Sequence, residues 1–425
     1  MKTVWSSCIA AVFALCTLPA VDLTVVGPVR MADGIGKQSV ELIEVLREEI
    51  EVSFVPSRKI PEEELAKAQQ SLGSLLKNND KNGKVLLFED LLTRPPRDSI
   101  PKKSFWKSMD LATKNKHQLR FAYSMFESSR LPSAWVYLLN RHFDGVLVPD
   151  VFLEKVYRES GVKIPIFTLP LGVNLAPFSC RFQRKTCEKP RVFANFSALY
   201  ERKNTLTLVK AFAQAFGNSS QVELRLNARR SDPDICQAIH SEIEKYGLEN
   251  IFLETGALSQ EEYIERFSEV DCYVNVAYGE GFSIQPREAM VLGIPTIVSD
   301  NSAQATICQS GLVKAIPANI ALPAEYKGQF SGTYGLWYGC SVEDVAAALV
   351  DVYDHYSEYS RWAEAASNWA MRYDYPNLCP LYMGVIHPKR VVLSKEDKIT
   401  EDCLFTTSKR LLKKYITIYP ELEAS

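Results

Sequence analysis

The sequence lacks the motifs that mark several common enzyme classes. It contains neither the G-x-S-x-G turn of the α/β hydrolases nor a phosphate-binding loop of the type G-x-x-x-x-G-K-[ST], and its five histidines lie far apart in the chain. Its ten cysteines include no C-x-x-C pair and no zinc-ligand spacing. These absences argue against a serine hydrolase, a P-loop nucleotidase and a structural zinc domain, and no metal site is predicted.

The chain also lacks a strong charge of either sign. Its 49 basic and 51 acidic residues give a net charge of −2, which argues against a broad nucleic-acid-binding surface. Two local basic clusters, Arg181-FQRK and Arg410-LLKK, are typical of solvated surface, although the second leaves open a peripheral contact with an anionic membrane. A length of 425 residues exceeds one ordinary core and predicts two domains.

Two series of alternating strand and helix patterns follow one another along the chain. The first runs over residues 21–170 and the second over residues 191–372, with a polar linker at residues 171–190. Alternation of this kind predicts parallel sheets with helices on both faces, which is a Rossmann-like α/β architecture. Residues 373–425 are aromatic-rich and less regular, and we expect them to cross back to the first domain.

The most informative segment is Tyr278-GEGFSIQPREAMVLGIPTIVSD. It begins after a buried strand pattern, continues into a helix pattern that ends at Gly293, and closes with another strand pattern. Glu280 therefore lies in a glycine-flanked loop at the carboxyl end of a strand, and Glu288 lies about one turn into the next helix. Ligands bind at that edge of an open α/β sheet, and the helix N-terminus there favours an anion.

This segment resembles the E-x7-E donor site of the retaining glycosyltransferases of family 4, which have the GT-B fold of two Rossmann-like domains that face a cleft. The resemblance implies that Glu288 and the backbone around Gly281, Phe282, Ser283 and Ile284 bind the nucleotide-sugar donor. Glu280 is expected to contact the sugar that is transferred. The turn Leu169-PLGVN resembles the end of the first domain in that family.

The loop Phe196-SALYERKN resembles the loop that supplies cations to the donor diphosphate in family 4. Lys203 matches the family's lysine, and Arg202 stands beside it. The family's usual arginine, which falls near Ala198, is missing, and Arg202 or Arg229 is expected to take its place. A surface Arg-Lys pair is the alternative interpretation of this loop.

Two first-domain segments are predicted to line the cleft on the acceptor side. Gly34-x-Gly36 opens the first helix, but it lacks the third glycine of a dinucleotide-binding turn, so a dehydrogenase is disfavoured. The segment Phe126-ESSRLPSAW resembles an F-E-[TS]-x-R-L-P-x-x-W pattern of family 4 and implies that Glu127 faces the cleft. The alternative is that Glu127 only precedes a helix that starts near Pro132.

The resemblance implies a retaining, metal-independent transferase that moves a sugar from a nucleotide diphosphate donor to a hydroxyl of a glycan, lipid or protein. No cofactor is implied beyond this co-substrate. Asp232-Pro-Asp234 imitates a D-x-D metal motif, but helix capping explains it. The alternatives are a non-catalytic, exported GT-B-like protein that binds a glycan or nucleotide, and another GT-B enzyme such as an epimerase or phosphorylase.

The N-terminal segment Met1-KTVWSSCIAAVFALCTLPA has the layout of a secretory signal peptide. It predicts an exported or membrane-associated protein, and Cys180 and Cys187 would then be able to form a disulfide. A buried N-terminal segment or a mis-assigned start is the alternative, which would restore a cytoplasmic location.

Overall fold

The structure is a computed structural model that describes residues 21–29, 34–76, 83–90, 92, 117–327 and 332–422. The predicted leader at residues 1–20 lies outside these residues. In the described part of the chain, no helix is both long and apolar enough to cross a membrane.

Strands and helices alternate along most of the chain, as the sequence predicts. The strands are β1 (Leu23–Gly27), β2 (Val52–Pro56), β3 (Val85–Phe88), β4 (Leu119–Tyr123), β5 (Gly145–Val148), β6 (Ile166–Thr168), β7 (Val192–Asn195), β8 (Glu223–Ala228), β9 (Ile251–Thr255), β10 (Cys272–Asn275), β11 (Thr296–Asp300), β12 (Lys314–Pro317), β13 (Ile320–Tyr326), β14 (Gly332–Gly339), β15 (Arg390–Leu393), β16 (Lys398–Ile399) and β17 (Cys403–Thr406). The helices are α1 (Gly34–Leu46), α2 (Glu62–Leu72), α3 (Ser133–His142), α4 (Val151–Glu159), α5 (Ala176–Ser179), α6 (Thr205–Phe216), α7 (Pro233–Tyr246), α8 (Gln260–Ser268), α9 (Ile284–Val291), α10 (Gln304–Cys308), α11 (Val342–Asp354), α12 (Tyr356–Ser360), α13 (Ala363–Met371), α14 (Tyr375–Ile386) and α15 (Lys409–Ile418).

The first sheet has six parallel strands in the order β2-β1-β3-β4-β5-β6. Its strands are short, apolar and almost wholly buried, because helices cover both faces of a parallel sheet. From β1 the chain adds β2 on one side of the sheet and then returns to add β3 on the other side of β1. The carboxyl ends of these two strands therefore form the switch point, where open α/β sheets bind ligands.

The second sheet is also six-stranded and parallel, in the order β9-β8-β7-β10-β11-β12. Numbered within the domain, this is the 3-2-1-4-5-6 order of dinucleotide-binding folds. Its switch point lies between β7 and β10. Helix α7 begins as the sequence predicts, because the Asp232 side chain accepts a hydrogen bond from the N–H of Asp234 and Pro233 occupies the first turn.

An antiparallel hairpin of β13 and β14, which the sequence analysis did not predict, follows the second sheet. We call it the bridging hairpin because it bonds to both domains. Leu336 N–H donates to Ser129 Oγ in the first domain (2.9 Å), and Tyr338 N–H donates to the carbonyl of Tyr278 in the second (3.0 Å).

The C-terminal region crosses back to the first domain through α14. Tyr375 and Tyr382 of this helix donate hydrogen bonds to the carbonyls of Gln38 (3.3 Å) and Pro170 (3.0 Å). Farther on, Lys414 forms an ion pair with Asp144 of the first domain (2.5 Å). The expectation that this region is less regular is wrong, because α14, a small sheet of order β15-β17-β16 and α15 fill it.

Candidate active site

The cation loop, residues 196–204, follows β7 at the switch point of the second sheet. Its last turn carries Arg202 and Lys203, and Asn204 ends it in the left-handed backbone region with a φ of 56°. The Asn204 side chain donates to the carbonyl of Val276 (3.0 Å), and the N–H of Tyr278 donates to the carbonyl of Arg202 (2.9 Å). These bonds hold the cation loop against the loop that follows β10.

That second loop, residues 276–283, is the glycine loop, and it places Glu280 between the two cations. Glu280 is buried and accepts hydrogen bonds from Lys203 Nζ and from Arg202 Nη1, the latter at 2.9 Å. Arg202 Nη2 also lies 3.4 Å from Oε1 of Glu127 in the first domain. The structure thus brings these four predicted residues into one group of two cations and two carboxylates, which we call the charge cluster.

Electrostatics within the charge cluster favour the ionised form of Glu280. Burial opposes ionisation of Glu280, but the charges and hydrogen bonds of Lys203 and Arg202 outweigh it and lower the pKa of this carboxyl. Burial likewise works against the charge of Arg202, whose pKa is nevertheless raised because Glu127 and Glu280 face it. For Lys203 burial dominates and lowers the pKa of its ammonium group.

The glycines beside Glu280 are needed for a close approach of the two domains. A Cβ on Gly279 would lie 2.0 Å from the carbonyl oxygen of Glu127, and a Cβ on Gly281 would lie 3.0 Å from Cβ of Met125. The sequence analysis associated the glycine-flanked loop with ligand binding. In the structure the first domain itself occupies the space beside these two positions.

Glu288 lies on α9, away from the charge cluster but on the same side of the sheet. It is buried and accepts a hydrogen bond from the hydroxyl of Tyr263 on α8 (2.8 Å). Burial raises the pKa of this carboxyl, and Lys37 of the first domain and Arg229 after β8 act against that rise. The hydrogen bond from Tyr263 also lowers the pKa of Glu288, whereas the nearby carboxylate of Glu41 raises it.

The remaining predicted donor-binding residues form the start of α9. Phe282 is buried and its ring centre lies 3.8 Å from the guanidinium carbon of Arg287, so only its backbone is available to a ligand. Ser283 is buried with a φ of 70°, and its Oγ accepts a bond from Asn275 (3.3 Å). Ile284 is half-buried and begins the helix.

The predicted cleft residues Gly34 and Gly36 belong to α1 itself. The helix begins at Gly34, two residues earlier than expected, so the predicted loop Gly34-Ile-Gly36 is wrong. Their place in the cleft stays a prediction. Cys180 and Cys187 are free and exposed in the structure.

The structure adds site residues that the sequence analysis missed. Ser197, two residues beyond the end of β7, is buried beside Tyr273. Ser302, just beyond β11, accepts the N–H of Glu280 on its Oγ (2.8 Å), and Tyr326 of the bridging hairpin donates to Glu127 (3.3 Å). Both serines could have been predicted, because each follows a strand at the edge of the sheet where ligands bind. Nothing in the sequence indicated Tyr326.

Among the described residues, no group of three or more His, Cys, Asp or Glu side chains is arranged to hold a metal ion. The site offers cations and backbone N–H groups in place of a cluster of acidic ligands. This donor set suits an anion such as a diphosphate.

The two Rossmann-like domains, with a helix that crosses back to the first, make up a GT-B fold. A family model, glycosyl transferases group 1, matches residues 179–316, which include the cation loop, the glycine loop and Glu288. No curated protein sequence matches the chain.

Several solved structures share this fold at low sequence identity. Anabaena Alr3699/HepE in complex with UDP and glucose is 13% identical, with a TM-score of 0.60 over 84% of this chain and 96% of that one. Sucrose-phosphate synthase from Thermosynechococcus elongatus is 15% identical, with a TM-score of 0.60 over 86% and 98%. A glycosyltransferase from Rickettsia africae is 13% identical, with a TM-score of 0.59 over 87% and 98%. These similarities establish the fold.

Proposed function

We propose that this protein is a retaining glycosyltransferase that moves a sugar from a nucleotide-sugar donor to a hydroxyl acceptor. The observation that carries the proposal is the pairing of Arg202 and Lys203 with Glu280 at the switch point of the second sheet. The group 1 family model, which spans this segment, supports it. Two of the similar structures were determined with UDP and glucose or with UDP-glucose, which fits a donor of this class.

Donor binding would exchange one set of ion pairs for another. The diphosphate is a stronger multivalent anion than one carboxylate, so it would take Lys203 and Arg202 from Glu280. Glu280 would then be free to accept hydrogen bonds from hydroxyls of the transferred sugar. Glu288, already oriented by Tyr263, would accept bonds from the ribose hydroxyls.

The chemical step would depend on stabilisation of the leaving group. Negative charge grows on the diphosphate as its bond to the sugar breaks, and the two half-buried cations are held in place by Glu280, so that such stabilisation would need little reorganisation. In the retaining mechanism that the resemblance implies, the departing phosphate takes the proton of the acceptor hydroxyl on the same face of the sugar. That mechanism needs neither a side-chain base nor a metal ion.

The test combines binding with product analysis. Calorimetric titration of the purified protein with UDP, GDP and ADP should show saturable binding of at least one of them. Mass spectrometry of reactions with the corresponding nucleotide sugars and a panel of acceptors should then show a product heavier by one sugar. Failure of all three nucleotides to bind would contradict the proposal.

One observation favours a second candidate, a non-catalytic binding protein of the same fold. Ala198 stands near the position where family 4 has a phosphate-binding arginine, so the cation loop carries one fewer cation than expected at that position. A binding protein would take up a glycan or nucleotide without turnover. Saturable binding combined with no product from any donor would support this candidate.

We further propose that the protein is exported or membrane-associated through residues 1–20. Removal of that segment would leave the fold intact, because the first strand begins only at Leu23. N-terminal sequencing of the natively produced protein should find a start near Val21. An intact Met1 on soluble protein would contradict export.

A further inference from the structure

A cavity lies in the first domain at the carboxyl ends of β3 and β4, beside the switch point of the first sheet. We call it the first-domain cavity. It has room for a group about the size of a water molecule. Its polar and aromatic lining includes Gln38, Glu89, Asp90, Tyr123, Met125 and Trp135.

Glu89 is the unusual member of this lining. Only 2% of it is exposed, and its Oε2 has no hydrogen-bond partner among the residues that the structure describes. Its Oε1 accepts one long bond, from Gln38 Nε2 at 3.4 Å. A buried carboxylate oxygen without a partner destabilises a fold, so a hydrogen-bond donor that enters the cavity would be favourably bound there.

The neighbouring carboxylate, Asp90, provides a comparison, because hydrogen bonds and an ion pair stabilise its charge. It accepts bonds from Ser57 Oγ (2.7 Å) and Arg58 Nε (3.0 Å), and the Arg58 guanidinium makes a second contact. Asp90 is therefore compensated by a cation and a hydroxyl. Glu89, one residue away, has no cation beside it among the described residues, and only Ser39 and Gln38 offer hydrogen bonds to its carboxylate.

The aromatic hydroxyls around Glu89 do not compensate it. Tyr123 donates to the carbonyl of Leu169 (2.8 Å), Tyr382 to that of Pro170 and Tyr375 to that of Gln38. Burial raises the pKa of all three phenols, so none of them titrates near neutral pH. Burial likewise raises the pKa of Glu89, to about 7, against the smaller lowering by Ser39 and Gln38.

The first-domain cavity adjoins the charge cluster. Met125 lines the cavity on one side and packs against Gly281 of the glycine loop on the other, at 3.0 Å from the place where a Cβ would stand. Only the width of one side chain separates the cavity from the loop that carries Glu280. An acceptor that extends along Met125 would place one hydroxyl in the cavity and another beside the charge cluster.

We propose that the first-domain cavity binds a hydroxyl group of the acceptor, with Glu89 as its hydrogen-bond partner. The proposal deepens the proposed transferase function and rests on it for the acceptor role. One hydroxyl of the acceptor must lie near the charge cluster to react, while a second occupies the cavity. The acceptor is therefore a polyhydroxylated molecule, a saccharide or polyol, and not a lone serine or threonine side chain.

The experiment measures the binding of small hydroxylated probes to the full chain by saturation-transfer NMR. The probes are methyl glycosides of glucose, galactose, mannose and N-acetylglucosamine, together with glycerol, and 1-propanol serves as the single-hydroxyl comparison. We expect saturable binding of at least one glycoside or of glycerol and none of 1-propanol. Glu89→Ala should weaken that binding at least tenfold, whereas the exposed control Glu63→Gln should not change it.

A second readout separates hydrogen bonding from packing. An ionised carboxylate is the stronger acceptor, so affinity of the natural protein should rise from pH 6 to pH 8 as Glu89 loses its proton. Glu89→Gln keeps the volume and should abolish that dependence. Absence of saturable binding of every probe, equal affinity of Glu89→Ala, or an unchanged pH profile in Glu89→Gln would each overturn the proposal.

The outcome for the transferase proposal is measured separately, by titration of the same proteins with UDP, GDP and ADP. Nucleotide binding at the charge cluster should be the same in Glu89→Ala as in the natural protein. If probes bind through Glu89 but no nucleotide binds, the proposed function fails and the cavity stands as a saccharide site.

Discussion

The two domains use the same architecture but carry different side chains at their switch points. At the switch point of the second sheet, Arg202 and Lys203 follow β7 and meet Glu280 after β10. At the switch point of the first sheet, Glu89 and Asp90 follow β3. Both sheets are parallel, six-stranded and covered on both faces, so the backbone alone does not distinguish the two places.

We therefore expect the side chains of the loops, and not the sheet, to select the ligand at each switch point. Cations and helix N-termini favour an anionic diphosphate, whereas an uncompensated carboxylate favours a neutral hydrogen-bond donor. If both proposals hold, the chain has two ligand sites of different chemistry, one in each domain. The predictions below test whether each site depends on its own residues.

The largest expected effect is the loss of transfer in Lys203→Ala. Removal of a preorganised group that stabilises developing charge costs roughly 10²–10³-fold in rate, and nucleotide affinity should fall as well. The fold should persist because Arg202 still pairs with Glu280. Steady-state kinetics and calorimetry test this, with Lys210→Ala on α6 as the matched control. Equal nucleotide affinity in Lys203→Ala and the control would break the assignment of the second switch point.

The second-largest expected effect is a change in the free energy of unfolding in the variant Glu89→Gln. The pKa of Glu89 is about 7 in the fold against 4.5 in the unfolded chain, so between these pH values the native carboxyl keeps a proton that the unfolded one has lost. Stability should therefore fall as pH rises through this window, by about 3 kcal/mol in all. Glu89→Gln should remove this loss and leave stability at pH 4.5 nearly unchanged.

Denaturant titrations at pH 4.5 and pH 8 measure the difference. The variant should be the more stable protein at pH 8. A variant that is equally stable or less stable there would mean that Glu89 is compensated like Asp90. The contrast between the two switch points would then disappear.

A smaller effect is expected for Glu288→Ala. Loss of a charged hydrogen-bond acceptor for the ribose would weaken nucleotide binding by about 1.5–3 kcal/mol. Glu265→Ala, at an exposed glutamate of neighbouring α8, is the control. Calorimetry with the nucleotide that binds the natural protein measures both, and an unchanged affinity for Glu288→Ala would remove it from the donor site.

The smallest effect concerns the contact between the domains, in Gly335→Ala. Gly335 has a φ of 71°, and a Cβ there would lie 2.8 Å from the backbone nitrogen of Arg130 in the first domain. Strain of this kind costs about 1–3 kcal/mol. We expect a lower melting temperature and faster hydrogen exchange at Leu336 than in the exposed control Thr333→Ala. Identical exchange in both variants would show that the hairpin does not depend on this glycine.

The sequence predicted the two sheets because their strands are short apolar runs between helix patterns. It did not predict the bridging hairpin, since most of β13 is exposed and Pro323 interrupts it. In addition, Ser129, to which the hairpin bonds, lies in the first domain. It also missed the regular C-terminal region. There α14 continues through Pro380, and three strands of two to four residues carry too little periodicity to be recognised.

The site was predictable where it depends on local order and not where it depends on tertiary contacts. Glu280, Glu288 and Lys203 were identified from motifs next to strand ends. That β7 and β10 are neighbours is a property of the topology, which the order of strands along the chain does not reveal. Glu89 lay in a recognised strand pattern, but its lack of a partner is visible only when the surroundings are known.

The bridging hairpin has a consequence for the rate at which a product could leave the cleft. Its backbone is bonded to Ser129 on one side of the cleft and to Tyr278 on the other, and its Tyr326 reaches Glu127 in the charge cluster. If the proposed transferase function holds, a wide opening of the cleft that releases the nucleotide would first break the hydrogen bonds of the hairpin on one side. We therefore expect the rate of product release to depend on a few hydrogen bonds of this hairpin. Breaking these bonds would then limit the rate of each turnover.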